Sequence, residues 1–186
     1  MNRIAKFYKV SKEQFGRDCY ENIVLPTRAT AGSAGYDFTV AEDVVIPSYL
    51  KLVKEMFRNR KDGVYSLEEM AKLTKSIKAK PTLVPTGIKC YLDKNQYLEL
   101  SVRSSCPLKY WLILANGVGI IDSDYVDNPD NEGHIMAKIT NDSNEGKTVE
   151  ISAGMGFIQG IFLEYGITTD DDAQGVRNGG FGSTTK

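Results

Sequence analysis

The chain has 186 residues, 41% of them apolar and 25% charged, with a formal net charge of −1. That length suits one domain with a sizeable core, and the near-neutral balance argues against bulk attraction to nucleic acid or to an anionic membrane. No stretch reaches the roughly 18 apolar residues of a membrane helix, and Cys19, Cys90 and Cys106 lack the even number or the C-x-x-C spacing of a disulfide framework or a zinc site.

No apolar segment follows the charged start at Arg3 and Lys6, so no signal peptide is expected and a reducing cytoplasm is the simplest location. Residues 4–10 and 20–26 read as short strands, and 26–35 as a loop of small residues. Tyr36–Val40 alternates, and Val44-Val45-Ile46 runs into Pro47. Later β-like runs fall at 82–92, 96–103, 110–115, 134–140, 147–151 and 157–165. Turn signals separate them about every ten residues, which predicts an all-β sandwich or barrel.

Residues 48–80 break that pattern. Tyr49, Leu52, Val53 and Met56 recur at helical spacing, widened by Leu50 and Phe57, with Lys61-Asp62-Gly63 as the stop. Ser66-Leu67-Glu68-Glu69 has the form of a capping box, in which hydroxyl and carboxylate each serve an orphan backbone N–H. Leu67, Met70, Ala71, Thr74 and Ile77 continue the 3.6 period, and Pro81 ends it. A helical hairpin inserted into a β domain is the expectation. It carries nine basic and four acidic side chains. Two readings follow: a solvated helical pair packed on the sheet, or a docking surface for an acidic or amphipathic partner. From Thr168 onward the composition turns acidic and then glycine-rich. That tail is either a loose terminus or a closure that lays Phe181 on a ring and Arg177 and Ser183 on phosphates.

A single histidine, His134, restricts the chemistry. Histidine-based triads would all have to use it, and no nucleophile elbow is present. It reads as a partly exposed strand histidine, which leaves a carboxylate as the candidate base. Ala115–Tyr125 packs two glycines, Asp122, Asp124 and Tyr125 into eleven residues. That stretch reads as a tight hairpin offering bare backbone beside a general base, or as a solvated turn. Ser101–Ser105 sets Arg103 beside hydroxyls, a combination suited to phosphate. Asp37 follows the small-residue loop and suits ordering a hydrated magnesium ion. Gly154–Gln159 leads into a strand. Neither G-x-x-x-x-G-K-[ST] nor G-x-G-x-x-G occurs, so the common nucleotide folds are excluded.

In order, these pieces resemble the five signature motifs of the homotrimeric deoxyuridine triphosphatases (dUTPases). The match runs A-G-Y-D at 34–37, R-S-S at 103–105, N-G-V-G-I-I-D-S-D-Y at 116–125, G-x-x-x-x-Q at 154–159 and G-G-F-G-S-T at 179–184. Pro85-Thr86-Gly87-Ile88 also resembles the family's strand between the first two motifs. The resemblance implies an all-β jelly-roll (β-clip) barrel over 1–47 and 81–169. A helical insert at 48–80 and a flexible tail at 170–186 that closes over an active site complete it. It implies a homotrimer with active sites at subunit interfaces and Mg2+-assisted hydrolysis of dUTP to dUMP and pyrophosphate. By that resemblance Asp122 activates the attacking water, and a carboxylate base also suits a chain with one histidine. Tyr125 would pack under the deoxyribose. Backbone at Asn116, Gly119, Ile120, Ile121 and Met136 would read uracil. Arg103, Ser104, Ser105 and Gln159 would hold phosphates, and Asp37 would bind magnesium through its waters. Phe181 and Gly182 would close over the base, with Arg177, Ser183 and Thr184 on the terminal phosphate.

This chain departs from the family pattern in places. Gly156 stands where the fourth motif carries an arginine, and Ile158 where it carries an alanine. Arg177 lies four residues before Phe181 rather than five, Thr185 replaces a final glycine, and Val126–Glu132 lengthens the loop after Tyr125. The insert resembles the extra segment of some phage-encoded dUTPases. That resemblance implies a second role, nucleotide-gated binding of a repressor or other protein through 48–80 and the active-site rim. It also implies the cytoplasm of a host cell as the location. A dCTP deaminase shares the fold but needs a buried glutamate that this run does not supply. A capsid-like jelly roll would leave the motifs unexplained.

Overall fold

The computed structural model describes residues 3–58, 66–76, 81–177, 179 and 180. Eleven strands form three antiparallel sheets among the described residues. They are β1 (Ala5–Lys9), β2 (Thr27–Arg28), β3 (Tyr36–Thr39), β4 (Val44–Ile46), β5 (Thr82–Leu92), β6 (Gln96–Val102), β7 (Leu112–Leu114), β8 (Gly119–Asp122), β9 (Ile135–Asn141), β10 (Val149–Ile151) and β11 (Gly156–Glu164). One sheet has the order β1-β5-β9-β7 and a second β2-β3-β11-β6-β8, while β4 and β10 pair separately. The helices are α1 (Lys12–Phe15), α2 (Tyr49–Arg58), α3 (Leu67–Ser76) and α4 (Ser105–Tyr110). None is long and apolar enough to cross a membrane among the described residues.

Alternation decides which faces meet. On β9, Ile135, Ala137 and Ile139 are buried while Met136, Lys138 and Thr140 are not. On β6, Leu98 and Leu100 point inward from the second sheet. The core lies between, with Phe38, Phe157 and Ile158 facing Val84 and Ile88. Phe7 closes one end against Tyr36, Phe38 and Phe162, with ring centroids 5.4, 5.5 and 5.6 Å away. Burying each such ring contributes about 1.5–3 kcal/mol. The all-β expectation with a helical insert holds.

Several local expectations change. The strand expected at 20–26 is a 3-10 turn, Asp18–Asn22, followed by extended chain into β2. Tertiary hydrogen bonds hold the turn: Tyr20 Oη donates to Val10 O at 2.9 Å, and Asn22 Nδ2 to Ala41 O at 3.1 Å. The run at 110–115 begins as the end of α4, which Trp111 stops with φ 55°. The hairpin expected around Asn116 is a corner between sheets instead. β7 pairs with β9, whereas β8 pairs with β6. Gly117, at φ 76°, makes that turn with its N–H on Leu114 O at 3.0 Å. Each strand finds a longer partner in its own sheet than its neighbour in sequence would be. His134 precedes β9 and is 3% exposed, not a partly exposed strand residue.

The insert divides into two parts. Ser48 is buried at its root, and its Oγ accepts from Lys51 N at 3.0 Å. Lys51 Nζ donates to Thr148 Oγ1 at 2.8 Å and Lys54 Nζ to Glu145 O at 3.1 Å, so α2 rests on the turn before β10. The capping box of α3 forms as its spacing requires. Ser66 Oγ accepts from Glu69 N at 3.2 Å, and Glu69 accepts from Ser66 N at 2.9 Å. Yet Leu67 to Lys72 are all exposed, Leu67 by 84%. The stop at Lys61-Asp62-Gly63 and the end of the helical run at Ile77 lie outside the described residues.

Candidate active site

Two clusters form on the outer face of the second sheet. β11 runs between β3 and β6 and sets Gln159 opposite Asp37 on one side and Ser101 on the other. Residues directly opposite share a face, so these three side chains project together. Gly35 passes so close that a Cβ there would stand 2.7 Å from Gln159 Oε1. Arg103 follows β6, its N–H bonded to Phe157 O at 3.0 Å. Its Nε lies 3.1 Å from Asp37 Oδ1. The guanidinium lies over Gly156, where a Cβ would stand 2.6 Å from Nη1. The glycine that departs from the family pattern thus leaves the space Arg103 fills. Ser104 is exposed and Ser105 half-buried at the start of α4. The cluster has one fixed cation, one carboxylate, an amide and two hydroxyls, a set that suits phosphate oxygens.

The second cluster gathers where β8 ends. Asp122 lies opposite Tyr97 of β6. The tail returns across it: Arg177 Nε donates to Asp124 Oδ1 at 2.8 Å, and its Nη2 pairs with Asp122. The guanidinium carbon sits 5.9 Å from the Tyr125 ring centroid. Gly180 lies against the same ring, where a Cβ would stand 2.6 Å from Cε2. Burial opposes the Arg177 charge, but the carboxylates of Asp124 and Asp122 outweigh it and hold its pKa above the ordinary value. Tyr125 is 6% exposed, and that burial pushes its phenol pKa up. A cleft of about 780 Å³ opens here, lined by Leu92, Tyr97, Ile120, Asp122, Tyr165 and Arg177 among others. That volume is in the range of small-molecule sites.

The residues expected to read a base through their backbone lie along β8 and its approach. β8 is an edge strand, so its outer side presents N–H and C=O groups that the ladder does not use. Gly119 and Ile120 belong to it, with Ile120 half exposed and Ile121 turned toward the core. Asn116 is exposed at the corner. The β7–β9 pairing runs on through Ala115 N to Lys138 O at 2.9 Å, which brings outward-facing Met136 beside that corner. Phe181, Gly182, Ser183 and Thr184 lie outside the described residues.

The two clusters share a face but do not meet. Tyr97, opposite Asp122, and Ser101, opposite Gln159, are four residues apart on β6. With the strand rise and spacing of a sheet, the Asp122 and Gln159 backbones stand roughly 17 Å apart. Arg177, assigned to a phosphate by resemblance, sits with the carboxylates rather than with Arg103. Sequence spacing gave no sign of Lys94, Tyr97 or Tyr165 in the cleft, because two segments distant in sequence bring them there. The contact of Asp124 with Arg177 was detectable only as a carboxylate within the third motif.

A three-sheet antiparallel fold with a guanidinium cluster, a half-buried carboxylate and an edge strand beside a cleft fits a β-fold nucleotide phosphohydrolase. A family model described as dUTPase matches residues 56–185. The deoxyuridine 5′-triphosphate nucleotidohydrolase of Lactococcus lactis subsp. lactis is 36% identical over 170 residues, 89% of this chain and 91% of that protein. That of Haemophilus ducreyi is 30% identical over 183 residues, 96% of this chain and 95% of that one. The dUTPase structure from Streptococcus mutans superimposes with a TM-score of 0.62 at 35% identity, covering 87% of this chain and 97% of that one. A dUTPase of phage phi11 of S. aureus, solved to visualise its species-specific insert, shares the fold. It has a TM-score of 0.59 at 17% identity, covering 93% of this chain and 97% of that one. The chain belongs to the dUTPase family and hydrolyses dUTP.

Proposed function

We propose that hydrolysis yields dUMP and pyrophosphate at a site shared between copies of this chain. The observation that carries this reading is the separation of the two clusters. A base near Asp122 and a triphosphate on Arg103 cannot belong to one substrate within one chain, but a neighbouring copy can supply the missing half. In this reading, a homotrimer, Asp122 takes a proton from the water that attacks the α-phosphorus. The bond from that phosphorus to the bridging oxygen breaks, and pyrophosphate leaves. Tyr125 packs under the deoxyribose and leaves no room for a 2′-hydroxyl. Backbone at Asn116, Gly119, Ile120, Ile121 and Met136 hydrogen-bonds uracil. Arg103, Ser104, Ser105 and Gln159 hold the phosphates. Arg177 leaves Asp122 for the terminal phosphate as the tail closes, with Phe181, Gly182, Ser183 and Thr184 completing the closure. Residues 1–47 and 81–169 form the catalytic domain, 48–80 the insert and 170–186 the closing tail.

Magnesium fits this donor set in one way only. No group of three metal-ligating side chains occurs among the described residues, and Asp37 already shares one oxygen with Arg103. A lone, partly exposed carboxylate suits an ion carried mainly by substrate phosphates and touched through its waters. Such an ion would neutralise charge on the phosphates. This chain's part is to orient a water with Asp37 and the phosphate oxygens with Arg103.

Mixing two inactive variants tests the shared site. Asp122→Asn and Arg103→Ala each lose turnover alone. Co-refolded in equal amounts, they should recover roughly a quarter of wild-type activity if each site takes one residue from each of two neighbours. Activity that stays at the level of the separate variants would place both residues in one chain's site and sink this reading.

A second reading concerns the insert. The exposed Leu67 and Met70 of α3 are not needed by the cleft. Phage dUTPases, that of Staphylococcus bacteriophage 80alpha among them, control transfer of virulence genes by a proto-oncogenic G protein-like mechanism. We propose that 48–80 and the active-site rim bind a protein partner, a repressor among the candidates, under nucleotide control. Deletion of 48–80 should leave turnover and abolish partner capture. Equal capture by the truncated and full chains would refute it.

A further inference from the structure

The loop after Tyr125 is built around that tyrosine's hydroxyl. Asn131 Nδ2 donates to Tyr125 Oη at 2.9 Å, and Tyr125 Oη donates to His134 O at 3.1 Å. The orientation of the Asn131 amide follows from its other partners. Its Oδ1 accepts from Gly133 N at 3.0 Å and from Asn128 Nδ2 at 2.8 Å, so its Nδ2 is the group left to face the phenol. Asn128 is fixed in turn. Its Nδ2 also donates to Tyr125 O at 2.9 Å, and its Oδ1 accepts from Asp130 N at 3.1 Å and Asn131 N at 3.2 Å.

Two further features make this a rigid mount. Gly133 has φ 76°, and a Cβ there would stand 2.6 Å from Val126 Cα and 2.7 Å from Tyr125 O. The loop therefore closes on itself where only glycine fits. Its outer corner is tied to β5 and the N-terminal segment: Lys89 Nζ pairs with Asp127 at 2.6 Å and Glu132 at 3.5 Å, and Ser11 N donates to Glu132 Oε2 at 3.1 Å. A phenol held at its oxygen by two partners of fixed direction has a fixed ring, not merely a buried one.

We propose that Asn131 is the positioning residue that sets the enzyme's choice between a deoxyribonucleotide and a ribonucleotide. It acts by pinning the Tyr125 ring at its hydroxyl. The proposal rests on the reading of Tyr125 as the sugar filter. A ring free to tilt opens space for the 2′-hydroxyl, so UTP gains relative to dUTP.

The ratio of kcat/KM for dUTP over UTP is the measurement, taken on the full chain for Asn131→Ala, Tyr125→Phe, their combination and Tyr125→Ala. Asn131→Ala should lower the ratio by up to about tenfold, the scale of one lost hydrogen bond, and Tyr125→Phe, which also loses the bond to His134 O, at least as much. The double variant should fall no further than Tyr125→Phe, because that change already removes the bond Asn131 makes. A loop that merely loosens would instead lower the ratio again in the Tyr125→Phe background, which overturns the proposal. Should Asn131→Ala not fold, Tyr125→Phe carries the test alone, and an unchanged ratio in it overturns the proposal. Tyr125→Ala separates the two ideas. If it leaves the ratio intact, the sugar-filter reading fails. If it collapses the ratio while Tyr125→Phe and Asn131→Ala leave it intact, only the pinning by Asn131 fails.

Discussion

The Arg103 cluster and the Asp122 cluster occupy one face of one sheet and are built in opposite ways. Arg103, Asp37 and Gln159 sit on or beside three adjacent strands, so the hydrogen-bonded ladder fixes their spacing. Asp122 stands where an edge strand ends, and its charge is answered by Arg177 from a segment 55 residues away. The first arrangement is preorganised to receive anions. In the second, one guanidinium pairs with two carboxylates, and under the proposed reading it leaves them before Asp122 acts as the base. The difference separates a cluster held by the sheet ladder from one that a contact with the tail completes.

The largest expected effect sharpens that division. Asp122→Asn should lower kcat by about 10³-fold while dUTP still binds, because an amide cannot accept the proton of the attacking water. Arg103→Ala should lower kcat/KM by about 10²-fold through loss of charge-assisted hydrogen bonds. Steady-state kinetics of the two, side by side, reads the comparison directly. If kcat survives Asp122→Asn and collapses in Arg103→Ala, the roles assigned to the clusters are reversed. Arg177→Ala should raise KM for dUTP by about tenfold with kcat within a few-fold. An unchanged KM would mean that Arg177 stays with the carboxylates throughout turnover.

The smallest effect on turnover, and a separate one on stability, belongs to His134. Its Nε2 accepts from Gly87 N at 2.8 Å, and burial, joined by the charge of Arg17, pushes its pKa down to about 4. The unfolded chain's histidine takes a proton near 6.5, so its contribution is complete above that pH. It is lost as pH falls from about 6.5 toward 4, by roughly 3 kcal/mol in all. His134→Gln keeps an acceptor for Gly87 and should flatten this acid limb in denaturant titrations, with turnover at neutral pH unchanged. An acid limb as steep in the variant as in the parent would assign the loss to carboxylates.

The sequence already carried the strands whose alternation is strict. β5 falls at 82–92 as expected, and β6, β9 and β11 fall within a residue of their expected bounds. Period-2 burial is a local property, and so is the Ser66–Glu69 capping box, which needs only its own four residues. The ordered motifs likewise carried the family and its reaction, because motif spacing is written in one dimension. Other features needed the folded chain. Ile23-Val24-Leu25 has strand composition, but Tyr20 and Asn22 bond to distant carbonyls and fix a 3-10 turn before it. Asn116–Gly119 has hairpin composition, but β7 and β8 each pair with a longer strand elsewhere. The pKa of His134 is lowered because it is buried against Gly87 and Phe15. Local propensity cannot register any of these, since each is decided by a partner ten or more residues away. The tertiary structure likewise set the gap between Asp122 and Arg103, through the register of β6 with β8 and β11, and the lock on Tyr125, through the closure of the loop at Gly133.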